Sequence, residues 1–258
     1  MSRAGRITSE AVAAYRTFTR RRTAVFFTFF FPVLLIVIFA GLVQTTGGGA
    51  GGGGGGAGGA AGLFSQPTGY YVPAYLAVVV LFTPLSRMGS TVARHREGNR
   101  FEKLATTPLA RWEWLLAHTI VNTLLIAAAC TVLLVALLAT GASFTLSPLL
   151  VPFVLLASVL FCGVGALIGR AADSQDGAIS MSNGIALPLL FLSDTFIEPA
   201  LFPEWFQPMQ AISPLTYFAR GVRAATYSGG DAITSLWIVA VLAVVLFVAG
   251  AYAVPWTE

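Results

Sequence analysis

The sequence predicts an all-α membrane protein: six transmembrane helices preceded by an amphipathic helix lying in the membrane interface. Three observations carry this prediction. The 258-residue chain is 56% hydrophobic and only 10% charged, against about 25% charged in ordinary soluble domains, so it cannot cover a water-facing surface. Uncharged stretches approaching the roughly 20 residues of a membrane span recur at Thr23–Gln44, Tyr70–Ser86, Trp114–Thr140, Leu149–Gly169, Gly177–Ser193 and Ala232–Thr257. The fifth is short by its uncharged core alone. Extended to their flanks, the spans read as 23–44, 70–92, 109–140, 149–170, 177–197 and 232–254. Finally, basic residues alternate between loops. Arg3, Arg6, Arg16, Arg20, Arg21 and Arg22 precede the first span, Arg87, Arg94, Arg96, Arg100, Lys103 and Arg111 follow the second, and Arg170 follows the fourth. The intervening loops hold Arg220 and Arg223 alone, two basic residues against thirteen. Lysine and arginine are retained in the cytoplasm, so both termini are expected there.

In residues 7–22, Ile7, Ala11, Tyr15 and Phe18 recur at helical spacing while Arg16 and Arg20 fall off that stripe. An apolar face with a basic flank belongs in the membrane interface, and Ser9 followed by Glu10 reads as a helix start. A secretory signal is the alternative, but the apolar stretch that follows is too long and lacks a clear cleavage site. The first span contains Pro32, tolerated where neighbouring elements satisfy the freed carbonyl. Sixteen residues from Gly47 to Gly62 are only glycine or alanine. A phosphate-binding loop would end in Gly-Lys-Ser/Thr, and the single lysine, Lys103, is far away. The run, within an outer loop 45–69, reads as a slack extracellular tether or as a disordered outer lip that touches cargo. Tyr70, Tyr71 and Tyr75 then open the second span as an interfacial aromatic belt.

The loop RHREGNRFEKLATTPLARWEW, residues 94–114, is the most polar segment. Glu97, Phe101 and Leu104 share a helical spacing, which suits a short helix along the membrane with an exposed aromatic and a leucine, a docking surface rather than a merely solvated loop. Thr107 and Pro108 read as the N-cap and first turn of the third span, with Trp112 and Trp114 as interfacial anchors. In the fourth span, Gly163, Gly165, Ala166 and Gly169 make a narrow side for close helix approach, within the bundle or across a dimer. Between the fifth and sixth spans, residues 198–231 are apolar but broken by proline, which predicts short helices dipping into the outer leaflet. Ser213 and Pro214 read as N-cap and first residue of one of them. Arg220 and Arg223 fall on it, with Glu198 or Glu204 as candidate partners.

Catalytic chemistry is not legible. The two histidines, His95 and His118, have no acid near enough in sequence to imply a triad, and the two cysteines, Cys130 and Cys162, read as small packing residues inside spans. No His/Cys/Asp spacing implies a metal site. Asn122 and Asn183 read as helix–helix hydrogen bonders. Any energy for uphill transport is expected from another chain.

Three segments resemble the membrane subunit of an ATP-binding-cassette (ABC) exporter of the type-2 permease family: the basic N-terminal helix, REGNRFEKLATTPLARWEWLLA, and the block NGIALPLLFLSDTFIEPALFPEWFQPMQAISPLTYFARGVRAA. In that block Pro188–Ser193, Pro203–Trp205, Pro214–Tyr217 and Arg220 or Arg223 match the family pattern, whereas Ser213 stands where asparagine is common and Asp194 where glycine often follows the serine. The resemblance covers nearly the whole chain outside the glycine run, and is nearest the drug-resistance exporter branch. It implies a single permease domain over residues 1–258 of a prokaryotic plasma membrane, a half-transporter that pairs with a second permease copy, identical or not, and binds two copies of a separate ATPase. This chain would bind no cofactor itself; ATP and Mg would sit on the partner, and no nucleic acid is implied. Residues 94–107 would form the coupling helix seated on the ATPase through Arg96, Glu97, Phe101, Glu102, Lys103 and Leu104. Re-entrant outer helices would cap the pathway, with Asp194, Glu198, Pro203, Trp205, Pro214, Tyr217, Arg220 and Arg223 as a gate. Cargo is open: a drug-like or amphiphilic small molecule leads, polysaccharide or lipid-linked glycan is the alternative, and a different class, an ATP-independent channel or scaffold, predicts no ATPase partner.

Overall fold

A computed structural model describes residues 3–20, 68–139, 141–196 and 207–255, with isolated positions at 22, 25, 26, 30 and 34. The first predicted span is therefore described only at single positions, and the glycine run lies outside the described residues. The described elements are helical: α1 Arg3–Thr19, α2 Val72–Glu97, α3 Arg100–Ala105, α4 Arg111–Ala139, α5 Leu150–Ala171, α6 Gln175–Leu192, α7 Gln207–Gln210, α8 Pro214–Arg223 and α9 Ala232–Ala253. A 3-10 turn, Thr68–Tyr71, leads into α2, and a π turn, Ala224–Ser228, follows α8.

Among the described residues, four helical segments are long and apolar enough to cross a membrane: Gly69–Glu97, Arg111–Ala139, Leu150–Ala171 and Ala232–Ala253. The 18-residue α6 stays outside that set because Gln175, Asp176, Ser180, Ser182 and Asn183 dilute its apolar run; at 1.5 Å per residue it is about 27 Å long. α5 lies between α2 and α9, α6 packs on α2, α1 on α4, and α8 on α9 and α2. The long helices alternate in direction, so the molecule has two ends. The proximal end carries α1 and α3; the distal end carries α7, α8 and the 141–149 loop, where Thr145 donates to the Thr226 carbonyl at 2.8 Å.

α2 is buried on all sides along Val72–Leu81, as expected of a helix apolar all round. Close approach is made by glycine. A Cβ on Gly163 would lie 2.3 Å from the Leu246 carbonyl oxygen of α9, and one on Gly169 would lie 2.4 Å from the Gly89 carbonyl oxygen of α2. The narrow side of α5 thus serves packing within the bundle on two opposite neighbours. Cys130 and Cys162 are both buried.

Several local expectations need correction. Ser9 does not start α1; the helix begins at Arg3, and the Ser9 hydroxyl donates back to the Arg6 carbonyl at 2.9 Å. The inward stripe of α1 is Ala11, Ala14 and Phe18, packed on Val121 and Leu125, while Tyr15 is 51% exposed. Thr107 does not cap α4. Its hydroxyl donates to the Leu104 carbonyl at 2.6 Å, closing α3, and the Glu113 carboxylate accepts from the Ala110 amide at 2.9 Å to cap α4 instead. A carboxylate suits that position because it meets the positive end of the helix. Arg87, expected in a loop, lies inside α2, which runs unbroken to Glu97. Trp114, Tyr71 and Tyr75 are buried in the bundle rather than set in an interfacial belt.

Candidate functional site

The proximal corner is built where α2 ends. Gly98 and Asn99, the latter at φ +49°, turn the chain into α3. Arg96 donates to the carbonyls of Arg170 and Ala172, the last turn of α5 and its cap; these are groups a helix end otherwise leaves unpaired. Glu97 accepts from the Gln175 amide at 2.8 Å, the first residue of α6. Two adjacent side chains of α2 therefore clasp the α5–α6 turn. Of the other residues expected to face a partner, Glu102 and Lys103 are exposed and Leu104 is half-buried. Phe101 is not exposed: it is 3% accessible, with its ring centroid 5.1 Å from Trp114 and 5.5 Å from His95. The i, i+4, i+7 spacing put Phe101 and Leu104 on one face; that face turns inward because α4 brings Trp114 against it.

α1 is tied to this corner by charge. Arg6 donates to both Glu113 oxygens, at 2.7 and 3.2 Å, and Glu10 lies 3.3 Å from His118 Nε2. The hydrogen bond from His118 holds the Glu10 carboxyl below the usual glutamate range, although partial burial works against it. Inside this frame α1, α2, α4 and α6 enclose a cavity of 340 Å³, reached also by Arg100 of α3. Its polar lining includes Arg87, Arg94, Arg100, His95, His118 and Glu10. Arg87 is oriented by Asn122, to whose Oδ1 its Nε donates at 2.7 Å, and by the Phe18 ring 4.2 Å beneath its guanidinium. Asn122 thus makes the expected bond between helices; Asn183 is exposed. Sequence reasoning did not find this cavity, although an arginine within an otherwise apolar helical run was a usable signal.

At the distal end, Asp194 is 2% exposed. Arg220 Nε donates to its Oδ2 at 2.7 Å, and Arg223 Nη1 lies 3.8 Å from the same oxygen. Arg223 also donates to the Asp194 and Thr195 carbonyls at 2.8 and 3.3 Å and lies 4.4 Å over the Tyr70 ring. Pro214 opens α8, and the Tyr217 hydroxyl donates to the Ala211 carbonyl at 2.9 Å. The structure thus brings Asp194, Arg220 and Arg223 together. The carboxylate that faces both arginines is Asp194; Glu198, Pro203, Glu204 and Trp205 lie outside the described residues. Ser213 stands before α8, but its hydroxyl makes no capping bond.

Among the described residues no three His, Cys, Asp or Glu side chains cluster to hold a metal ion. The arrangement positions charge at the two ends of an apolar bundle; it offers levers and binding groups rather than a reacting pair. A sequence model described as ABC-2 type transporter matches residues 11–227, from within α1 to the turn after α8. No individual curated protein matches the chain.

Proposed function

As the chain belongs to the ABC-2 type transporter family and is a membrane permease subunit of that kind, we propose that it forms the six-span pathway of an ATP-driven exporter. In this reading α1, α3 and the chain termini lie in the cytoplasm of a prokaryotic cell. Two copies of a separate ATPase carry ATP and Mg, and a second permease copy completes the pathway. The cargo is a drug-like or amphiphilic small molecule moved outward. The observation that carries the reading is the family match running through both the proximal corner and the distal latch.

In this reading the coupling step uses the geometry of the two ends. A partner pressing on Glu102 and Lys103 pushes α3, and Phe101 passes that displacement to Trp114 of α4. Arg96 and Glu97 pass movement of α2 to the α5–α6 turn. At the other end Asp194, Arg220 and Arg223 hold the segment after α6 against α8, so a shift of α6 works on that latch. Opening there is the outward release step.

The test is a gentle-detergent pull-down of the tagged chain from its native membrane, with mass spectrometry of what accompanies it. A stoichiometric soluble subunit bearing a P-loop supports the reading. Reproducible absence of one, with the chain still folded, favours a channel or scaffold. Reversing both surface charges, Glu102→Lys with Lys103→Glu, is expected to weaken recovery of that subunit while the permease stays folded.

A further inference from the structure

Polar groups taken out of water are nearly always paired, because an unpaired one keeps its full desolvation cost. At the distal end several such groups gather beside the latch. Asp194 Oδ1, Gln210 Nε2, Ser213 Oγ, Thr216 Oγ1 and Arg223 Nε are buried with no hydrogen-bond partner among the described residues. Asp194, Gln210, Ser213 and Thr216 are at most 2% exposed. They belong to one place. The Ser213 amide donates to the Gln210 carbonyl and the Thr216 amide to the Ser213 carbonyl, each at 3.1 Å. These three therefore stand on successive turns where α7 passes into α8. Along α8, Thr216, Arg220 and Arg223 recur at i, i+4 and i+7 and so share a face. Asp194 meets that face through both arginines.

The chemistry of these atoms decides their ligand. Gln210, Ser213, Thr216 and Arg223 offer N–H and O–H donors, and Asp194 offers an acceptor. A cation would face the two guanidinium groups of the latch, and an anion would face the Asp194 carboxylate. A neutral ligand that both donates and accepts suits the whole set, and water is the smallest. Buried water typically makes about three hydrogen bonds to groups of this kind. The serine and threonine oxygens also accept, so water can pass from one to the next. We infer that the start of α8 holds a cluster of internal water that bridges Gln210, Ser213 and Thr216 to the free oxygen of Asp194. The cluster completes the latch from inside: the arginines take one carboxylate oxygen and water takes the other. It needs neither an ATPase nor a second permease copy, so it stands or falls separately from the proposed function.

The experiment uses the full chain with whatever subunits accompany it, held in nanodiscs. Thr216→Cys places a thiol at the centre of the cluster. Brief X-ray pulses split water where it is bound, and the hydroxyl radicals oxidise the nearest thiol, which is read by peptide mass spectrometry. Cys130 and Cys162, both buried, serve as internal references. The introduced thiol is expected to oxidise at least fivefold faster than either, while a bulky maleimide labels none of the three. Oxidation no faster than that of the references makes the site dry and overturns the inference. Maleimide labelling of the introduced thiol alone also overturns it, because the position would then open to bulk solvent. Should that variant not fold, Thr216→Val carries the test. Losing a hydroxyl bonded to water is expected to lower the melting temperature by about 2–4 °C. An unchanged or raised melting temperature means that the hydroxyl was unpaired, and overturns the inference. Replacing chloride by gluconate is expected to leave the melting of the unmodified chain unaltered. Stabilisation by chloride that disappears in Thr216→Val would assign the site to an anion and overturn the water assignment.

Discussion

The two ends of the bundle use charge in opposite ways. At the distal end one buried carboxylate, Asp194, serves two arginines, and one of these also takes the backbone carbonyls beside it. At the proximal end the links are separate: Arg6 to Glu113, Glu10 to His118, Arg96 to the end of α5, Glu97 to the start of α6. A network with a single hub is lost in one step. A set of parallel links loosens by degrees, because each keeps its own partners. The distal contact therefore depends chiefly on one carboxylate, while the proximal corner divides its links among several residues.

The largest losses are expected where one side chain serves several partners. Asp194→Ala is expected to be the most damaging, at about 3–5 kcal/mol, since it strands charge in a buried place. Thermal unfolding in detergent should show it exceeding Arg220→Ala, because the Arg220 side chain is 46% exposed and leaves Arg223 to neutralise the carboxylate. Equal losses would remove the hub. Phe101→Ala comes next, at about 3 kcal/mol, the lower end for a buried phenylalanine, because it opens a void against Trp114. It is expected to lower stability, and not only to uncouple the chain from a partner; unaltered melting would put Phe101 back on the surface. Glu97→Gln weakens the cap on α6 by about 0.5–1 kcal/mol, read as faster amide exchange confined to the first turn of α6.

The smallest effect sharpens the proximal side. Glu10 has its pKa lowered in the folded chain by His118. Its contribution is therefore complete above the ordinary glutamate range and is lost as pH falls through the lower folded value. For a partly exposed pair this amounts to about 0.2–1 kcal/mol. Proteolysis between α1 and the residues that follow it, by an acid-active protease, should accelerate only once pH falls below the ordinary glutamate range, and Glu10→Gln should abolish that pH dependence. Acceleration of equal size in the variant would assign the acid sensitivity elsewhere.

Much of the architecture was legible because hydropathy and charge alternation are one-dimensional signals. The long apolar helices, the amphipathic α1, the proline that opens α8 and the short helix at α3 all follow from spacing along the chain. The family block was legible for the same reason. The candidate site was legible by position but not by direction. Phe101 and Leu104 share a face by periodicity, yet whether it points out or in depends on Trp114, which arrives from another helix. Thr107–Pro108 has the composition of a cap, but Glu113 competes for that role and, being charged, is the stronger acceptor. Asp194 read as a departure from a family pattern, and its partners lie 26 and 29 residues on.

By itself the sequence determined that this chain belongs in a membrane, that its apolar helices cross it, and that its basic residues gather toward one end. Each depends on summed transfer free energy, which adds along the chain whatever the neighbours are. Only the tertiary structure decided which face of α3 is buried, that the α5 glycines serve α2 and α9, and that Asp194 gathers two arginines. It alone closed a basic cavity behind α1. These depend on distances between residues far apart in the chain, and Coulombic attraction, steric contact and hydrogen bonding act through space rather than along the sequence.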